Sequence, residues 1–293
     1  MYAIGIDIGG MSAKIGLVKD NILIYEERIP TGSDPDYDAF VEALRQRIAA
    51  LQAKYPVEKV GISSCGLIDR QKGSIVYSNN IRWTNKHLTE DLGNRIGLNV
   101  RIANDAKCAA LAEAVLGAGK SFSRVCMITL GTGVGGCMIR NGQLGEGSRY
   151  ADADDMLGHI TVEHNGRLCT CGRRGCLEAY ASAPALTRNY AELTGEELSA
   201  KEIFDRARAR EPQAGAAVAS FREYLADGLV SIVNVLRPEV IVLGGGMAAA
   251  AADYMDDLRR AVNTLVFGGD VLPVEITTAE LGNEAGMVGA ALL

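Results

Sequence analysis

Cys169, Cys171 and Cys176 fall within eight residues, and His159 stands ten positions before the first of them. Three soft thiolates and one imidazole are the ligand set of a closed, tetrahedral structural zinc site. The loop carrying them runs from Gly158 to Glu178, and Gly166, Gly172 and Gly175 supply the bends that bring so short a segment back onto one ion. The competing reading is a loop of free reduced thiols. With only seven cysteines and three histidines in 293 residues, the crowding favours the metal. A disulfide explains it less well, because three is an odd number and nothing points to export. A metal loop of this kind can hold neighbouring polar residues rigidly, and His159 and Glu178 bracket it.

Three glycine runs suggest a second chemistry. In AspIleGlyGly (7–10) a carboxylate ends a strand, Gly9 and Gly10 form the turn, and Lys14 lies on the next strand. Glycines there let backbone N–H groups approach a phosphate with no Cβ in the way. Asp7 could position Mg²⁺ or its water shell, and Lys14 could meet phosphate charge. The same residues also fit a plain hairpin turn. Gly131, Thr132 and Gly133 open a second run (131–136), in which Thr132 adds a hydroxyl. Two such turns in a repeated setting signal phosphate binding more strongly than either alone. Gly244, Gly245 and Gly246 follow a buried strand and precede a helix, where a helix N-terminus would meet an anion or a nucleotide. Asn104 and Asp105 stand where a strand hands over to a helix. Asp105 there could serve as a general base, although the dipeptide alone reads more readily as a helix N-cap.

These residues need elements to position them. Apolar patterning predicts strands at 2–8, 13–19 and 22–30, then a helix over 38–53 with Phe40, Leu44, Ile48 and Leu51 on one face. A buried strand at 58–64, a helix at 87–96, a strand at 99–103 and a helix at 105–117 follow. Strand, glycine turn and strand then recur at 124–140. The repetition predicts two related α/β domains, a smaller one at 1–115 and a larger one at 116–293 that carries the zinc loop. Residues 183–236 read as largely helical, 239–243 as a strand, 248–265 as a helix, 272–277 as a strand and 284–293 as a final helix. That last helix is a candidate to return to the first domain, and a hinge is expected near 105–120.

The composition narrows the function classes. Apolar residues make up 48% and charged residues 23%, the make-up of a folded globular enzyme. A net charge of −6 and a pI of about 5.3 argue against a general nucleic-acid or anionic-membrane binder. The sequence has no run of eighteen apolar residues for a membrane span. Its opening has no charged leader followed by an apolar stretch, so a reducing cytoplasm is the expected setting.

Taken together, the motifs resemble the ROK family (repressors, open reading frames and kinases) within the sugar kinase, actin and heat-shock ATPase fold. The resemblance rests on AspIleGlyGly with Lys14, AsnAspAla (104–106), the glycine run at 131–136, GlyHis (158–159), the cysteine loop, LeuGlyGlyGly (243–246) and AlaGlyMetValGlyAla (285–290). It implies an α/β fold of two actin-like (ribonuclease H-like) ATPase domains with a cleft between them, closing over the sugar. It also implies ATP- and Mg²⁺-dependent phosphorylation of a hexose or N-acetylhexosamine, glucokinase-like at the 6-hydroxyl. Asp105 would take the proton from the attacking hydroxyl, and Asn104, His159 and Glu178 would bind the other hydroxyls. Gly66 and Asn80 match positions lining the family's sugar pocket. The first two glycine turns would hold the phosphates, with Gly244–Gly246 beside the adenosine. A homodimer is a further implication, and neither nucleic acid nor membrane is an expected partner.

The chain departs from the family pattern in places. Met11 stands where Thr is usual. Met156 stands where a sugar-binding Glu is usual, in a segment about two residues longer than usual, and Asp154 and Asp155 are the candidate substitutes. Cys65 replaces a Pro and Cys137 a Gly, both read as packing changes. The family pattern uses only the GlyHis histidine, which leaves His164 outside the ligand set. Met11 and Met156 leave open an alternative, a catalytically weak sugar- or nucleotide-binding sensor of the same fold. The sequence does not name the sugar.

Overall fold

The computed structural model describes residues 1–32, 35–145 and 154–293. In chain order the elements are β1 (Tyr2–Ile8), β2 (Ser12–Lys19), β3 (Ile22–Pro30), α1 (Tyr37–Gln52), β4 (Val57–Ser64), β5 (Leu67–Asp69), β6 (Ser74–Ser78), β7 (Trp83–Lys86), α2 (Leu88–Ile96), β8 (Asn99–Asn104) and α3 (Asp105–Val115). After these come β9 (Arg124–Leu130), β10 (Val134–Arg140), β11 (Gln143–Leu144), α4 (Glu178–Ala181), α5 (Ala183–Thr194), α6 (Ala200–Arg208) and α7 (Pro212–Leu236). The chain closes with β12 (Val240–Gly244), α8 (Met255–Leu265), β13 (Glu275–Thr278) and α9 (Ala285–Leu292). Two compact units result. The first holds Met1–Lys120, Leu281–Leu293 and the described part of Gly142–Asp154; the second holds Ser121–Asn141 and Asp155–Glu280.

The first unit is built on a sheet of order β3-β2-β1-β4-β8. β1 runs antiparallel to β2 and parallel to β4. Because β1 is covered on both faces, it reads as a near-continuous apolar run. Ile4, Ile6 and Ile8 pack with Phe40, Val41, Leu44, Ile48 and Leu51 of α1, the face expected from the 3.6-residue spacing. Each of these isoleucines is 0–1% exposed, worth roughly 1.5–3 kcal/mol relative to exposure. The opposite face is set with glycines. A Cβ on Gly5 would come within 2.0 Å of the Met287 carbonyl and one on Gly61 within 1.7 Å of the Ala290 carbonyl. Helix α9 can therefore lie directly on the strands. The buried carboxylate of Glu113 accepts the N–H groups of Ala118 at 3.0 Å and Leu281 at 2.7 Å, which satisfies a charge that burial would otherwise penalise.

The second unit repeats the phrase. β10 and β9 are antiparallel, β9 and β12 parallel, and β12 and β13 parallel, the same sequence of pairings as β2-β1-β4-β8. Cys126, Ile128 and Leu130 of β9 share a core with Ala217, Phe221 and Leu225 of α7 and Leu258 and Val262 of α8.

Four local expectations change. The second glycine turn is shorter than 131–136, because Val134, Gly135 and Gly136 already pair with β9. The segment expected as a helix from 248 is a 3₁₀ helix, Gly246–Asp253, and α8 starts only at Met255. The last strand is Glu275–Thr278 rather than 272–277. A three-stranded sheet, β5-β6-β7, was not expected at all; its strands are too short for alternation to register. Among the described residues no helix is long and apolar enough to cross a membrane.

Candidate active site and metal centre

In the first unit the antiparallel register brings Asp7 opposite Lys14, with a Lys14 Nζ to Asp7 carboxylate distance of 3.6 Å. Ser63, the parallel partner of Asp7 on β4, donates its hydroxyl to the same carboxylate at 2.7 Å. Lys14 also donates to the Asn283 carbonyl at 2.9 Å. Asp7 is thus a fixed carboxylate beside a fixed cation, at the mouth of the Gly9–Gly10 turn. The turn itself is closed by Gly9 N–H to Ser12 O at 3.1 Å, and Met11 is 88% exposed.

Asn104 and Asp105 resolve the cap question by dividing it. Asn104 is the N-cap of α3 and accepts from Ala106 N–H at 3.0 Å, while its amide donates to the Gly66 carbonyl at 3.1 Å. Asp105 is the first helical residue, also within 2.9 Å of Ala106 N–H. Its side chain reaches solvent, yet the protein crowds around it. That burial raises its pKa, the charge of Asp7 adds to the effect, and the Ala106 N–H opposes it. A carboxylate made more basic at a helix start suits a proton acceptor. Gly66 has φ +106, and a Cβ there would lie 2.4 Å from Tyr77 O, so only glycine fits. Asn80 is a neighbour of Gly10, 3.4 Å from where a Cβ on that glycine would stand.

In the second unit the metal loop assembles. One ligand atom each from His159, Cys169, Cys171 and Cys176 lie within 4.8 Å of one another. Cys169 Sγ is 3.7 Å from His159 Nδ1, and Cys171 Sγ is 3.7 Å from Cys176 Sγ. A tetrahedron with zinc–sulfur bonds of about 2.3 Å and a zinc–nitrogen bond of about 2.05 Å has edges of about 3.5–3.8 Å, so the donor set fits that ion. Burial and the neighbouring thiols push Cys176 up to about 12, whereas the Arg173 backbone N–H lowers Cys171. Cys169 and Cys176 thus resist ionisation, and a divalent cation bound among the thiols would reverse that. Gly172 and Gly175 take left-handed φ values of +84 and +79, as the bends require. Gly166 instead lets Tyr180 and Glu163 approach closely. His164 is outside the cluster.

The loop meets the second glycine turn where the turn runs into β10, at Gly133 and Val134. Glu178 accepts Val134 N–H at 3.1 Å and the Thr170 hydroxyl at 2.5 Å, and Cys169 Sγ approaches it at 3.5 Å. A Cβ on Gly158 would sit 1.8 Å from Val134 O, so the backbone before His159 lies against the next peptide of the same residue. Gly131 donates to Gly133 O at 3.0 Å and accepts from Ala183 N–H at 2.8 Å. Thr132, exposed, borders a cavity of about 490 Å³ with Pro184, Thr187, Arg188 and Glu197. Arg188 Nε is buried with no partner among the described residues. Of the third run, Gly244 is buried inside β12, while Gly245 and Gly246 are exposed. Gly245, at φ +83, would place a Cβ 2.4 Å from Leu130 O.

The candidate substitutes for the missing glutamate are both engaged. Asp154 pairs with the buried Lys107 at 2.5 Å; burial raises its pKa, but the bond and charge of Lys107 leave it lowered overall. Asp155, at φ +59, accepts Met138 N–H at 3.1 Å. Met156 is 50% exposed. Asp152 and the segment 146–153 lie outside the described residues. Sequence reasoning missed Ser63, Thr170 and Lys107; only the strand register, the loop closure and the helix face bring them to their partners.

Residues 3–293 match the family model described as the ROK family. The chain is 33% identical over 310 residues to a glucokinase of Streptomyces coelicolor, covering 98% of this chain and 96% of that relative. It is 33% identical over 304 residues to an N-acetyl-D-glucosamine kinase of Mannheimia succiniciproducens, covering 99% and 98%. A ROK family glucokinase from Streptomyces griseus, solved in complex with glucose and AMPPNP, superposes with a TM-score of 0.77 at 31% identity over 99% of this chain and 98% of that one.

Proposed function

The chain belongs to the ROK family, and from that premise we propose that this ATP-dependent sugar kinase phosphorylates the 6-hydroxyl of a glucose-type hexose or N-acetylhexosamine, with Asp105 as general base. The observation that carries the reading is the placement of Asp105 at the first turn of α3, where Asn104 caps the helix and reaches Gly66, in the unit whose Asp7, Lys14 and Ser63 form one ordered group. Phosphoryl transfer asks mainly for positioning and charge stabilisation. Gly9, Gly10 and Lys14, and likewise Gly131, Thr132 and Gly133, are the residues that the family resemblance implies for the ATP phosphates. Mg²⁺ accompanying ATP supplies neutralising charge, and Asp7 is the residue to hold it or its water shell. The cavity beside Thr132 has the volume of a small-ligand site, and Gly245 and Gly246 are exposed for the adenosine.

Asn80, Gly66, Asn104, His159 and Glu178 are the sugar-side residues. Asn104 and Glu178 have part of their hydrogen-bonding capacity committed to Gly66, Ala106, Val134 and Thr170, which fixes their orientation before a sugar arrives. His159 with Cys169, Cys171 and Cys176 would hold a structural zinc, which would lock the loop that carries Glu178. The enzyme is read as cytoplasmic and homodimeric.

Asp105→Asn keeps the shape and the bond to Ala106 while removing the proton acceptor. Turnover should fall by roughly 10²–10⁴-fold, the usual worth of a general base, with sugar and ATP binding retained. The wild-type rate should fall on acidification through an apparent pKa above the ordinary aspartate value of about 3.9, because the base works only when ionised. Wild-type turnover in Asp105→Asn would remove Asp105 from the role.

A further inference from the structure

The first glycine turn has one closing bond of its own, Gly9 N–H to Ser12 O at 3.1 Å, and no side chain to add to it. Gly9 and Gly10 have no side chains, and Met11 points into solvent, 88% exposed. Left alone, such a turn samples both halves of φ space. The rest of its fixed shape comes from the residue that follows the neighbouring strand. The β2–β3 register ends at Ser12 opposite Pro30, and Thr31 comes next, only 6% exposed. Thr31 donates its hydroxyl to Gly9 O at 2.9 Å and its N–H to Met11 O at 3.1 Å.

We propose that Thr31 is the positioning residue of this turn, and that its hydroxyl sets the direction in which the turn presents N–H groups to a nucleotide phosphate. In a planar trans peptide the C=O and the N–H point to opposite sides, and the chain has no cis peptide among its described residues. Drawing the Gly9 carbonyl toward Thr31 therefore aims the Gly10 N–H away from it. Drawing the Met11 carbonyl the same way aims the Ser12 N–H away as well. Two N–H groups on one side of a glycine turn form an anion-binding concavity. Gly10 N–H has no main-chain partner among the described residues, so it is available. The hydroxyl is not needed to end the β2–β3 ladder, which the Thr31 N–H already does. Its surplus bond goes to the one carbonyl whose direction matters for the ligand.

The proposal rests on the reading that ATP phosphates sit at this turn, and the test separates the two. Thr31→Val keeps the buried shape and removes the hydroxyl; Thr31→Ser restores it. Binding of ADP, of adenosine and of the sugar is measured by calorimetry on the full chain, with thermal melts as the control for folding. Thr31→Val should weaken ADP about tenfold, the size of one lost hydrogen bond, and leave adenosine and sugar within about twofold. Thr31→Ser should recover the ADP affinity. Unchanged ADP binding in Thr31→Val, or an equal loss for ADP, adenosine and sugar, would overturn the role assigned to Thr31. Wild-type protein that binds ADP no better than adenosine would overturn the phosphate reading of the turn, and the proposal with it.

Discussion

The two glycine turns occupy matching places in matching hairpins and are held in different ways. The turn after β1 is braced by a neutral hydroxyl and an N–H from Thr31 on the adjacent strand. The turn after β9 is braced by the Glu178 carboxylate at the Val134 N–H, by the Gly158 backbone at the Val134 carbonyl, and by Ala183. Glu178 and Gly158 are the two ends of the cysteine loop. The first turn therefore depends on the strands beside it and on Thr31 just past β3, whereas the second depends on a segment that a metal would organise. A shared backbone phrase leaves the choice of brace open, and here the braces differ in charge, in sequence distance and in the conditions that would loosen them.

The comparison can be broken most forcefully at the metal. A chelator strong enough to strip zinc, or Cys176→Ser, should lower the melting temperature by roughly 10 °C, since loss of a structural metal is among the large destabilising changes. ADP affinity should fall with it, through the second turn. If chelation lowered neither melting temperature nor ADP affinity, the metal would not brace the turn. Glu178→Gln is a smaller cut at the same joint. It preserves size but removes the charge that Val134 N–H and Thr170 share, so ADP binding and turnover should drop by roughly ten- to a hundredfold, the worth of a hydrogen bond to a charged group. The melting temperature should move much less than under chelation; an equal fall in both would make Glu178 a folding residue instead. Thr31→Val sharpens the contrast from the other side. Its effect should be the smallest, confined to phosphate affinity and indifferent to chelator.

Much of this arrangement was legible in the sequence, for identifiable reasons. The cysteine loop was readable because ligand chemistry demands particular residues at short range, and the four donors lie together as their spacing implied. The repeated hairpins were readable because β1, β2, β9 and β10 carry apolar runs separated by glycine. Phe40, Leu44, Ile48 and Leu51 were readable as one face because α1 is long enough for its period to show. What was not legible depended on register and tertiary contact. Ser63 reaches Asp7 only through the parallel pairing of β1 with β4. Lys107 is an unremarkable lysine in sequence and a buried partner of Asp154 in the structure. Gly244 reads in sequence as the first residue of a turn and is the buried last residue of β12. The sheet of β5, β6 and β7 escaped because strands of three to five residues carry too little pattern.

The measurement that tests the central claim most directly is ADP release from Mg-ATP against glucose, mannose, fructose, allose, N-acetylglucosamine and N-acetylmannosamine. The account predicts a high kcat/KM for one aldohexose or N-acetylhexosamine, with phosphate found on its 6-hydroxyl. Protein that binds zinc and ATP yet releases no ADP with any of these sugars would contradict it.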